Sequence, residues 1–154
     1  MKYTRLIVAL IVPQLAGVLG TLFTASSITT WYATLTKPSF NPPGWLFGPA
    51  WTLLYLLMGV SVFLIWQNPS SRARNKALRL FWIQIAFNAI WSPLFFGLKS
   101  PLLGLIDIVI LLALLFYTTT LFYKIKKIAA YLLFPYIAWV AFATILNLSI
   151  LLLN

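Results

Sequence analysis

Asp107 is the only carboxylate in the chain, which has no histidine and no cysteine. A general acid–base pair, a nucleophile–base dyad and a transition-metal site all draw on these residue types, so conventional hydrolysis and metal catalysis have no candidates. The side chains left with chemistry are aromatic rings and amides. Three groups of them recur at helical spacing: Phe47, Trp51 and Tyr55; Gln84, Asn88, Trp91 and Phe95; and Tyr136, Trp139, Val140, Ala143 and Asn147. Steps of three and four residues place each group on one helical face. Amides in an apolar setting must be bonded, so Gln84, Asn88 and Asn147 are expected to face inward. Gln84 and Asn147 read as links between helices. Large flat rings beside a small residue leave room, so Trp51, Asn88, Trp91, Trp139 and Ala143 read as the lining of a pocket.

The stretch WYATLTKPSFNPPGW, residues 31–45, is rich in proline and aromatic rings. Pro38, Pro42 and Pro43 cannot continue a helix and push their predecessors towards extended conformations, which predicts a stiff, folded-back loop over about 28–44. Its tryptophans and tyrosine also suit headgroup-level anchoring.

The elements that must position these residues follow from composition. Hydrophobic residues make up 62% of the 154 and charged residues only 8%, against roughly 45–50% and 25% in soluble domains. The solvent of this chain is lipid. Five apolar runs, at 6–23, 45–66, 78–98, 101–123 and 128–153, each come close to the ~20 residues that cross a bilayer as a helix. The connections between them are short, so the expected fold is an all-α bundle of five membrane helices in a single domain spanning 1–154. The first run is too long for a signal-peptide core and should remain attached. Ala16 and Gly20 form a small-xxx-small pair that would admit a close helix neighbour, inside the bundle or across a dimer.

The formal charge of +10 reflects topology. Nine cations (Lys2, Arg5, Arg72, Arg74, Lys76, Arg79, Lys124, Lys126 and Lys127) fall on one side of a five-span chain, and only Lys37 and Lys99 on the other. No nucleic-acid role is called for. By the positive-inside rule the N-terminus is expected in the cytoplasm, with the C-terminus and first loop outside. Asp107, about a third of the way into the fourth span, is expected to play a structural part by reaching Lys99 or bonding a neighbouring helix.

Several separated segments together resemble one family. WYATLTKPSFNPPGWLFGPAWTLLY, FNAIWSPLFF, LIDIVIL and FPYIAWVAFATILN are similar, in that order, to motifs of the translocator protein (TspO/MBR) family, also called tryptophan-rich sensory protein or peripheral benzodiazepine receptor. The likeness covers nearly the whole chain. It implies a five-helix bundle, often dimeric, whose pocket opens under the first loop and takes porphyrins and synthetic aromatic ligands. By matching positions, Trp51, Asn88, Trp91, Trp139, Ala143 and Leu146 would line that pocket, with Tyr55 beside them on the Trp51 face. Trp31, Pro42 and Pro43 would belong to its cover.

The resemblance further implies a tetrapyrrole such as protoporphyrin IX or haem as ligand, no required cofactor, and in some members light-driven porphyrin degradation, here through Trp51 and Trp139. A haem would lack the usual His or Cys ligand and rely on ring stacking and shape, its carboxylates meeting Lys37 or Lys99. Animal members place Leu or Val, Tyr, then Lys or Arg after the fifth-span asparagine. This chain reads ATILNLSILLLN there, so no sterol site is expected. Three functions stay open: a tetrapyrrole carrier, sink or sensor; a light-dependent porphyrin-degrading enzyme; and a transporter or scaffold whose tryptophans are anchors. The expected location is a bacterial plasma membrane.

Overall fold

In the computed structural model, which describes all of residues 1–154, every regular element is helical. They are α1 (Lys2–Ile28), α2 (Trp31–Thr34), α3 (Gly44–Trp66), α4 (Arg72–Ser92), a π-helical turn (Pro93–Gly97), α5 (Pro101–Ile125), α6 (Lys127–Tyr131) and α7 (Phe134–Leu153). Five stretches are long and apolar enough to cross a bilayer: α1, α3, α4 with the π turn, α5, and α6 with α7. Ile7, Leu15 and Leu22 on α1 and Leu102, Ile106 and Val109 on α5 are exposed, as suits apolar side chains that face lipid.

The expected span limits shift in four places, the first being α1, which runs over Lys2–Ile28 rather than 6–23. The third span begins at Arg72 rather than residue 78, because Ser71 caps the helix by accepting from the Arg74 amide at 3.1 Å. A charged first turn of α4 can project beyond the hydrocarbon without breaking the helix. The same span ends in a π turn, where the Leu98 amide bonds the Pro93 carbonyl at 2.9 Å. Pro93 has no amide hydrogen, and the widened turn buries two successive rings, Phe95 and Phe96. The fifth span is two helices, α6 and α7, since Pro135 in the first turn of α7 cannot donate backwards into α6. The loop expected over 28–44 contains the single turn α2.

The long helices form a ring in which α1 packs on α3 and α4, α4 on α5, and α5 on α7, while α3 and α7 meet only loosely. Arg5 reaches the Trp66 carbonyl and the Ser61 hydroxyl reaches the Ala129 carbonyl. The starts of α1, α4 and α6 and the ends of α3 and α5 therefore share one basic end, and the Pro-rich loop covers the other.

The closest helix contact is between α1 and α3. Pro13 cannot donate to the Ala9 carbonyl four residues back, and it is at this freed oxygen that α3 brings Gly59. A methyl at 59 would lie 2.6 Å from it. Gly17 faces the Tyr55 ring and Gly20 faces Ser92 on α4, and Ala16 is buried. The small residues of α1 thus serve the interior of the bundle.

This contact predicts opposite outcomes for two alanines in one helix. Helix propensity alone favours Ala over Gly by about 1 kcal/mol, and Gly48 has open space around it, so Gly48→Ala should raise the melting temperature slightly. Gly59→Ala must push against backbone, a class of change that costs about 1–3 kcal/mol. Thermal unfolding in detergent should show it lowering the melting temperature by several degrees.

Candidate functional site

Asn88 on α4 is bonded at both ends of its amide. The Tyr55 hydroxyl on α3 donates to its Oδ1 at 2.6 Å, and its Nδ2 donates to the Tyr136 oxygen on α7 at 2.8 Å. The Tyr136 hydroxyl in turn donates to Gln84 Oε1 at 2.9 Å. This chain of four side chains crosses three helices inside the apolar core. Asn147 makes a second link: its Oδ1 accepts from Trp91 Nε1 at 3.2 Å and its Nδ2 donates to the Pro101 carbonyl at 2.8 Å. Asn88 therefore does the same joining work as Gln84 and Asn147, and it is buried.

The rings fall into two groups. Trp51 stacks on Tyr55 at 5.3 Å between centroids and stands edge-on to Trp139 at 6.4 Å. From Trp139 the aromatic wall continues to Phe47, to Phe142 and on to Phe40 in the loop. Trp91 belongs to the other group, stacked on Phe95 at 4.9 Å. There Phe95, Phe96, Leu146 and Ile150 form a small core beneath the loop, with Trp31, Tyr32 and Leu35 packed on it. Of the residues expected around one pocket, the structure places Trp51, Tyr55 and Trp139 in contact on one side. It places Leu146 and Trp31 on the other; Trp91 packs against both groups, and Ala143 is half-buried against the main core.

Beside the first group lies a groove of about 570 Å³ along the loose α3–α7 seam. Leu46, Ala50 and Leu54 form one wall, Pro135, Ala138 and Phe142 the other, and Trp139 and Pro42 also border it. Most of these residues escaped the sequence reading. A signal was present in the steps of four on α3 and of three and four on α7, with alanines at 50 and 138 in place of larger side chains.

The loop over this end is braced. Tyr32 donates to Asn41 Oδ1 at 3.2 Å, and burial pushes its phenol above the usual 10.0. Lys37 lies 4.6 Å from the Tyr32 ring centroid and donates to the Leu35 carbonyl at 3.1 Å. Pro42 is half-buried at the groove's rim, and Pro43 leads into α3. The Thr36 amide donates to Asn154 Oδ1 at 2.8 Å, and Asn154 Nδ2 donates to the Thr36 carbonyl at 2.9 Å. Lys99 holds a left-handed backbone, φ 52°, where the π turn ends.

Asp107 departs from expectation. It is buried on α5, its Oδ2 has no partner, and it reaches neither Lys99 nor a neighbouring helix. Asp107 is buried, whereas Lys99 is exposed.

A five-span helical membrane protein with an aromatic seam beneath a proline-braced loop is the class that this fold and site define. Residues 9–153 match the model of the TspO/MBR family. The chain is 44% identical over 155 residues to the "Tryptophan-rich protein TspO" of Archaeoglobus fulgidus, covering all of this chain and 99% of the relative. It is 43% identical over 142 residues to the protein of that name in Chlorobaculum tepidum, covering 90% of this chain and 88% of the relative. To the human "Translocator protein" it is 37% identical over 137 residues, covering 88% of this chain and 81% of the relative. The chain belongs to the TspO/MBR family and is an integral, multi-pass membrane protein.

The paired bonds between Thr36 and Asn154 set how tightly the loop is held. Each is worth about 0.5–1.5 kcal/mol, so Asn154→Ala should speed hydrogen exchange at the Thr36 amide roughly tenfold. Amides in the middle of α4 should exchange as before.

Proposed function

We propose that the protein binds a flat hydrophobic ligand of the tetrapyrrole class and acts in the membrane as its carrier, sink or sensor. The observation that carries this reading is the groove at the α3–α7 seam. Its volume lies within the ~300–1,000 Å³ of small-molecule sites, and it borders Trp139, one ring away from Trp51. A planar ligand entering between α3 and α7 meets ring faces and edges under the Pro42 rim, a geometry that favours stacking. In this reading a ligand in the groove meets Trp139 first, with Trp51 and Tyr55 stacked behind it. Trp91, Ala143 and Leu146 close the far side and Asn88 holds the wall, while Trp31, Lys37, Pro42 and Pro43 form the cover.

The proposal extends to setting. The distribution of cations supports a cytoplasmic N-terminus and an outward-facing loop, and a bacterial plasma membrane is the proposed location. A homodimer is the proposed assembly. The name "Translocator protein" of the human relative accords with a carrier role. Lys37 is occupied with Tyr32 and the Leu35 carbonyl, so of the two loop-end cations Lys99 is the freer to meet a ligand carboxylate.

A light-dependent degradation reading draws on one geometric fact, the 6.4 Å separation of the Trp51 and Trp139 rings. Both readings meet in one experiment. Protoporphyrin IX is titrated in the dark into the detergent-solubilised protein, following tryptophan fluorescence, and the sample is then illuminated while porphyrin absorbance is recorded. Saturable quenching is expected, weakened about tenfold by Trp51→Leu or Trp139→Leu, since a lost ring contact of ~1.4 kcal/mol is a factor of ten. Replacing Lys37 and Lys99 together with Gln should lower affinity at low salt. Light-dependent loss of porphyrin needing both tryptophans would establish degradation. Quenching that never saturates, or that persists unchanged in both tryptophan variants, would overturn the binding site.

A further inference from the structure

At the basic end, a second pocket of about 380 Å³ lies between the start of α1 and the end of α3, lined by Met1, Lys2, Arg5, Phe63 and Gln67. Its polar side chains are chiefly donors. Lys2 and Gln67 make no side-chain hydrogen bond within the chain, and Arg5 makes one, from Nη1 to the Trp66 carbonyl at 3.1 Å. The Arg5 guanidinium also lies 5.9 Å from the Trp66 ring centroid. Arg5 is thereby oriented by two contacts while most of its five donors stay free, the condition in which a guanidinium takes two oxygens of one anion. Nothing in the chain neutralises this charge. The one carboxylate, Asp107, lies in the first two turns of α5, which begin at the opposite end of the bundle.

We propose that this pocket is a binding site for the phosphate of an anionic membrane lipid, held by Arg5 and Lys2 with Gln67 as a third donor. Two observations favour a lipid over free phosphate. The pocket is far larger than a phosphate ion and includes the ring of Phe63. The Phe63 ring is only half-buried on α3, so a glycerol backbone and its first acyl carbons have an apolar surface to follow. Basic pockets between membrane helices recognise lipid headgroups, and this one joins cations to an apolar ring. The other seven basic-end cations lie on α4, α5, α6 and the link between the last two, and they attract anionic lipid only diffusely.

The test uses full-length protein stripped of lipid in a neutral detergent. Dioleoyl-phosphatidylglycerol is titrated in and the bound lipid counted by native mass spectrometry. One lipid per chain should bind more tightly than the rest, about fivefold less so in Lys2→Gln and about tenfold less so in Arg5→Gln. The double variant Lys124→Gln, Lys127→Gln removes equal or greater charge elsewhere and should leave that first affinity within twofold. Lys2 bonds no other side chain, so Lys2→Gln decides the matter even if Arg5→Gln loses its hold on Trp66 and unfolds. Equal weakening by the control variant would overturn the site in favour of diffuse attraction. Phosphatidylcholine binding as tightly as phosphatidylglycerol would overturn the requirement for an anion. Displacement of the lipid by an equal concentration of inorganic phosphate would overturn the assignment to lipid.

Discussion

The Asn88 amide is the polar group that ties three helices, α3, α4 and α7, together. In hydrocarbon an unbonded amide costs several kcal/mol, so its two ends must find partners, and they find the tyrosines of α3 and α7. That requirement fixes the rotation of three helices at once. With Tyr55 and Tyr136 pinned, Trp51 four residues before the one and Trp139 three residues after the other are brought edge to face. The aromatic pair is thus a by-product of a hydrogen-bonding need met one helical turn away.

The same amide explains how a groove can persist in a bundle this small. α3 and α7 scarcely touch directly, yet Tyr55 on the one and Tyr136 on the other are both hydrogen-bonded to Asn88 of α4, so a third helix bridges them. Small residues elsewhere make the opposite arrangement, with Gly59 and Gly17 drawing α1 hard against α3. One side of α3 is locked by backbone contact and the other is left lined with Ala50, Leu46 and Leu54. Ala138 opposite adds no bulk to fill the gap.

Much of this could be read from the chain. The five spans follow from apolar runs alone, and the inward faces of α3, α4 and α7 follow from their periodicity, because a buried amide and its aromatic neighbours repeat with the helix. What periodicity cannot supply is the partner across the interface. Spacing alone reads Asn88 as a pocket residue beside Trp91; the positions of Tyr55 and Tyr136 show both ends of its amide bonded between helices. Trp91 faces inward as Trp51 does, and both pack against the main core. The π turn after Pro93 directs Phe95 beneath the loop, and Trp91 stacks on it there. Charge and spacing read Asp107 as reaching Lys99 or bonding a neighbouring helix, but Asp107 is buried with an unpartnered oxygen while Lys99 is exposed. The break between α6 and α7 was hidden because the apolar run continues straight through Pro135.

The pairing of Thr36 with Asn154 joins positions 118 residues apart in sequence. It copies, with a side-chain amide, the two-way exchange by which adjacent β-strands hold each other. Asn154 follows directly on α7, so the loop is anchored to one wall of the groove, and through Pro43 it runs covalently into the other. The loop is in effect a tie-bar across the α3–α7 seam. A tilt of α7 must either drag the loop with it or break that pairing, so widening of the seam and lifting of the loop are one mechanical coordinate.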